Sequence, residues 1–143
     1  MSDDPGKAAK LYPVSEKQAE RIRTPGGHKL SELTLENVLA GKVTPRDVGI
    51  TPQALRLQGE VANSVGRGCL AENLDRGAEL ATVPQDEIFA TYELLRPGRA
   101  RDKQELLDLA ARYRTDHDAS AIARLIEEAA EVYESRGLFR KRY

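Results

Sequence analysis

A chain of 143 residues, 40% hydrophobic and 31% charged, has apolar material for one ordinary domain and too much of it for a disordered chain. Its formal charge of −1 gives no global positive field for nucleic acid or an anionic membrane. Aromatics make up only 5% and tryptophan is absent, so the core must come from Leu, Ala, Val and Ile, a composition that favours an all-α fold.

Residues 1–33 read as an irregular, extended N-terminal arm. Pro5, Pro13, Pro25, Gly6 and the Pro25-Gly26-Gly27 turn signal break it up, with a brief helical segment at Ser15–Arg23. Leu11-Tyr12 and the pair Leu30 and Leu33 give this arm apolar anchors. The remaining residues, 34–143, are expected to form a small open bundle of three to five helices.

Thr34 is the cap of a short helix through Ala40, with Leu35, Val38 and Leu39 on one side and Gly41 as the stop. Two helical turns are far below the roughly 12–15 residues that are marginally stable alone in water, so something else must hold them. Thr44-Pro45-Arg46-Asp47 reads as a turn or a single helical turn. Thr51-Pro52 then combines an N-cap hydroxyl with proline at the first helical position.

Ala54, Leu57, Val61 and Val65 form one apolar stripe, and Leu70, Leu74, Ala78 and Ala81 form the next. The stripe jumps by one residue across Gly66-Arg67-Gly68, about 100° of helix rotation, which predicts two helices over 52–66 and 69–82. A further helix over 84–95 has Ile88, Tyr92 and Leu95 as its apolar face, with Phe89 beside it, and Pro97 closes it. Residues 102–136 carry Leu106, Leu109, Ala110, Tyr113, Ile122, Leu125, Ile126, Ala129 and Tyr133, with Asp102 as cap and Gly137 as stop. The pattern admits one long helix or two, with the break at the polar stretch 115–118.

The chemistry-bearing residues do not converge. His28 and His117 are far apart in the chain, and Cys69 is the one cysteine, so neither a disulfide nor a zinc spacing is present. Glu127 and Glu131 share a helical face, but the Glu-x-x-His partners of a di-metal bundle are missing, and a solvated acidic face is the reading. Cys69 reads as a small apolar filler. No catalytic, cofactor-binding or metal-binding residue is assigned. The N-terminus has no apolar leader core, and no stretch nears the ~18 apolar residues of a membrane span. The expected location is cytoplasmic, with no membrane partner.

Three stretches resemble one known family: TLENVLAGKVTPRDVGITPQALRLQGEVA, LAENLDRGAELATVPQDEIFATYELLRP, and ELLDLA with EAAEVYESRGL. They are similar to the small (γ) subunit of adenosylcobalamin-dependent diol and glycerol dehydratases, over about Tyr12 to Leu138. The resemblance implies a non-catalytic helical subunit of an enzyme that converts a diol to an aldehyde and water. It implies large (α) and medium (β) subunit partners in a dimer of heterotrimers, with adenosylcobalamin held by those other subunits and none on this chain. The additional N-terminal segment that helps direct diol dehydratases to a microcompartment is expected to be absent, since ten residues precede Leu11-Tyr12-Pro13, and microcompartment association stays an open alternative. Gly98 stands where the family usually has an aromatic, and Leu74 replaces a frequent Phe. Gly66, Gly68 and Gly77 are expected to loosen the middle helices, at about 1 kcal/mol per interior glycine.

Leu11, Tyr12, Leu35, Val38 and Leu39 are the expected subunit-interface residues, because they are apolar and lie in segments too short to own a core. Two rivals stand beside this reading. One is a free-standing helical module binding nucleic acid through the basic tail of Arg136, Arg140, Lys141 and Arg142, against which the net charge counts. The other is an autonomous metalloenzyme using Glu127 and Glu131.

Overall fold

The computed structural model describes residue 10 and residues 12–140. Among them the chain is all-α, with α1 Val14–Lys17, α2 Leu35–Leu39, α3 Pro52–Ser64, α4 Gly68–Leu80, α5 Gln85–Leu94, α6 Lys103–His117 and α7 Ser120–Arg136. Short 3-10 turns cover Ala19–Arg21, Leu30–Glu32 and Pro45–Val48. The isolated bridge between Arg23 and Lys29 is the only extended pairing among these residues. Seven α-helices exceed the three to five expected. Val14–Lys17 adds a single turn, and residues 102–136 form two helices.

Packing divides the chain into two compact units, Met1–Ala81 and Thr82–Tyr143. In the first, α3 packs on α4. Thr51 starts α3 by accepting a hydrogen bond from the Ala54 N–H at 3.2 Å, and Pro52 occupies the first turn. The helix ends in a Schellman motif. Gly66 adopts φ 77°, the Arg67 N–H donates to the Ala62 carbonyl at 2.9 Å, and the Gly66 N–H donates to Asn63 at 3.0 Å. Gly66 is therefore the turn itself and not a weak point inside a helix. Gly68 opens α4, so of the three glycines expected to loosen these helices only Gly77 is interior. Leu57, Gly59 and Ala62 of α3 and Ala71 and Ala78 of α4 are the buried residues of the pair. These are mostly small side chains, and they let the two helices approach closely.

The second unit is built on the α6–α7 hairpin. Asp102 caps α6 by accepting from the Glu105 N–H at 3.0 Å. Leu106, Leu109, Ala110 and Tyr113 of α6 face Ile122, Ala123, Ile126 and Ala130 of α7, all buried. The pair runs antiparallel, since Lys103 at the start of α6 meets Glu131 at 2.8 Å and Glu134 at 2.7 Å near the end of α7. The break falls at Asp118, which takes the left-handed conformation at φ 52°, and the next residue, Ala119, donates its N–H to the Tyr113 carbonyl at 3.0 Å. Asp tolerates this conformation better than most residues because its short polar side chain bonds locally. α7 stops at Gly137, φ 63°, in a second Schellman motif. The chain beyond it returns to the loop after α5, through Gly98 N–H to Leu138 carbonyl at 2.7 Å and Arg140 N–H to Ala100 carbonyl at 2.8 Å. The Tyr133 hydroxyl donates to the Leu95 carbonyl at the end of α5.

Candidate subunit interface

The five residues of α2 bury none of their side chains, so local bonds and the flanking chain must hold the helix. Thr34 accepts from the Asn37 N–H at 3.3 Å, and the Asn37 side-chain amide donates to the Glu32 carbonyl at 2.7 Å. A third Schellman motif ends the helix. Gly41 sits at φ 71°, with Lys42 N–H on the Asn37 carbonyl at 2.9 Å and Gly41 N–H on Val38 at 3.0 Å.

Farther along the chain, Asp47 is a carboxylate only 6% exposed. Its Oδ1 accepts from the Thr24 hydroxyl at 2.9 Å and the Gly26 N–H at 3.1 Å. Its Oδ2 accepts from the Thr44 N–H and the Thr44 hydroxyl, each at 2.9 Å. Four donors around one carboxylate favour its charged form. The Thr44 N–H, then the hydroxyls of Thr44 and Thr24, hold its pKa down to about 2. Gly26 is required beside it, since a Cβ there would overlap Asp47 Oδ1.

α2 presents Leu35 (69% exposed), Val38 (50%) and Leu39 (79%) to solvent. Spacings of three and four place them on one helical face. Tyr12 is exposed elsewhere in the same unit, at the lip of a groove of about 900 Å³ walled by Leu57, Val61, Val65, Leu70 and Leu74. Leu11 lies outside the described residues. The structure thus gathers three of the five sequence-selected residues on α2 and sets Tyr12 apart on the groove.

Other exposed apolar side chains were not selected. Val48 and Ile50 are exposed just after the Asp47 turn, and they meet the same criterion, being apolar residues in a segment too short for a core. Phe89 and Tyr92 on α5 are exposed too, although Tyr92 reads from the sequence as part of a core-facing stripe. Val65 and Leu70 are likewise stripe residues that stay exposed. Cys69 is exposed and does not fill a core.

Several titratable residues of the helices are engaged structurally. Arg114 holds Glu127 with both guanidinium nitrogens, which lowers the Glu127 pKa, and Lys103 holds Glu131 and Glu134. His117 Nε2 meets Glu87 at 2.9 Å, joining α6 to α5. These pairs brace the hairpins, and among the described residues no group of three or more His, Cys, Asp or Glu gathers around a metal position. The polar side chains of the groove are Tyr12, Ser15, Gln58 and Arg67, in an otherwise apolar wall. Among the described residues no helix is long and apolar enough to cross a membrane.

Against known proteins, residues 8–140 match the family model described as the dehydratase small subunit. The propanediol dehydratase small subunit of Citrobacter freundii is 43% identical over 125 residues, which cover 87% of this chain and 72% of that protein. The propanediol dehydratase small subunit of Salmonella typhimurium (strain LT2) matches at the same identity and coverage.

Proposed function

The chain belongs to the dehydratase small-subunit family, and from that premise we propose that it is the non-catalytic small subunit of a coenzyme B12-dependent 1,2-diol or glycerol dehydratase. It docks on the large catalytic subunit and supports assembly with the medium subunit into a dimer of heterotrimers. Adenosylcobalamin, which supplies the radical that starts the rearrangement of diol to aldehyde and water, is held by the other subunits.

The observation that carries the docking role is α2. A five-residue helix with caps at both ends leaves Leu35, Val38 and Leu39 outside. Each of these side chains, fully buried by a partner, contributes at most about 1.5–3 kcal/mol, and the half-buried Val38 less, which a free monomer forgoes. Large permanent interfaces of roughly 2,000 Å² or more are built from such surface.

The test is co-purification. The tagged chain is expressed with the large and medium subunits from the same source, sized, and assayed with adenosylcobalamin on 1,2-propanediol and on glycerol. A three-component complex whose activity falls when this chain is omitted is the expected result. A fully active two-subunit enzyme, with this chain eluting alone, would overturn the proposal.

A further inference from the structure

We propose that Asp47 is a positioning residue for assembly: by closing the loop that runs from Thr24 to Asp47, it fixes α2 as a docking surface before the partner arrives. The proposal rests on the subunit reading above and names what shapes its contact face.

The two ends of the loop are joined by one carboxylate, beside the buried side chain of Val43. Thr24 and Gly26 lie at its start and Thr44 at its end, and the Asp47 carboxylate bonds all three across 23, 21 and 3 positions of chain. The start is itself a closed turn. The Thr24 N–H donates to the His28 carbonyl at 3.0 Å, the His28 N–H donates to the Thr24 hydroxyl at 3.1 Å, and that hydroxyl in turn donates to Asp47. The end is a capping box, with Thr44 and Asp47 serving each other across the 3-10 turn. Between the two ends sits α2, which buries nothing. An unfastened loop of this length would hold α2 in many orientations, and ordering it would fall to the partner. Fastening it beforehand moves that cost out of the association step.

The chemistry of the fastener is specific to a carboxylate. Each of its two oxygens receives two donors, so an amide cannot replace it. In Asp47→Asn one oxygen becomes an NH₂ group facing either the Gly26 N–H or the Thr44 N–H, and neither backbone donor can turn away. Thr24→Val is gentler, removing one hydroxyl and the relay to His28. Thr24→Ser retains both.

The experiment uses the full chain co-expressed with the large and medium subunits, comparing wild type, Asp47→Asn, Thr24→Val and Thr24→Ser. Two quantities are read: affinity of the chain for the other subunits, and hydrogen exchange of backbone amides in the chain. Asp47→Asn is expected to weaken association at least tenfold and to speed exchange of the amides between residues 24 and 48, while those of α3, α4, α6 and α7 keep their protection. Thr24→Val is expected to show the same localised pattern more mildly, and Thr24→Ser to restore wild-type behaviour.

Unchanged affinity in both Asp47→Asn and Thr24→Val would overturn the positioning role while leaving the subunit reading intact. Faster exchange throughout α3 and α4 in Thr24→Val would overturn it as well, by showing a general stabilising role. A wild-type chain that does not join the complex would instead overturn the subunit reading, and the docking role with it.

Discussion

The hydroxyls of Thr91 and Tyr113 lie 2.9 Å apart in the interior of the second unit, joining α5 to α6. Tyr113 is 2% exposed and Thr91 8%, so neither group has ready access to water if its partner is lost. Tyr113→Phe is expected to leave a buried hydroxyl unpaired and to cost about 1–3 kcal/mol. The double variant Thr91→Val, Tyr113→Phe removes both polar groups and is expected to cost less than the sum of the singles. Denaturant unfolding of the four proteins, analysed as a double-mutant cycle, checks this, and strict additivity would show that the bond carries no coupling.

A pH experiment isolates Asp47. Its pKa is lowered to about 2 from the ordinary carboxylate value, with the Thr44 N–H as the largest cause. A lowered native pKa contributes stability that is complete above the unfolded value and fades as pH falls through the native one. The Gly26 and Thr44 amides are therefore expected to stay protected at pH 4 and to lose protection as pH approaches about 2, ahead of the α3 and α4 amides. Hydrogen exchange, corrected for the intrinsic pH dependence of the chemical step, makes the measurement. Loss of protection already complete at pH 4 would contradict the geometry.

Glycines 66 and 77 predict opposite signs. Gly66 holds φ 77° at the end of α3, so Gly66→Ala forces a left-handed alanine and is expected to cost about 1–2 kcal/mol. Gly77 is inside α4, and a Cβ there would meet Leu55 Cδ1 at 3.6 Å, an ordinary contact. Gly77→Ala is expected to stabilise by roughly 0.5–1 kcal/mol through helix propensity. Thermal unfolding of the two variants side by side decides the matter.

The helices were legible because their signals are local. Thr51-Pro52, Asp102, Gly41, Gly66 and Gly137 act on their own turn of chain, and the structure uses each as a cap or a stop. The jump of the stripe made Gly66-Arg67-Gly68 legible as the junction of two helices. The interior-glycine cost also assigned to Gly66 and Gly68 does not apply there, because φ at the junction sets their role. The stripes were legible as apolar faces, but not in what covers them, and so Tyr92, Val65 and Leu70 stand exposed. Asp47 was the least legible. Its partners Thr24 and Gly26 lie more than twenty positions away, beyond any local pattern, and the Thr44-x-x-Asp47 spacing of a capping box was the one available clue.

The α2 surface yields the sharpest test of function. Leu35 and Leu39 are one helical turn apart and mostly exposed, so replacing both with Asp removes apolar contact area without opening a cavity. In the free chain the double variant Leu35→Asp, Leu39→Asp is expected to change stability by no more than about 0.5 kcal/mol, the usual range for surface substitutions. In a complex the two carboxylates would be buried against an apolar partner face without counter-charges, which costs several kcal/mol. Heterotrimer yield on co-expression is therefore expected to fall at least a hundredfold, with the circular dichroism of the isolated chain unchanged. Full assembly of the double variant would mean that α2 faces solvent in the holoenzyme. The contact would then have to be sought at the groove beside Tyr12 or at Phe89 and Tyr92.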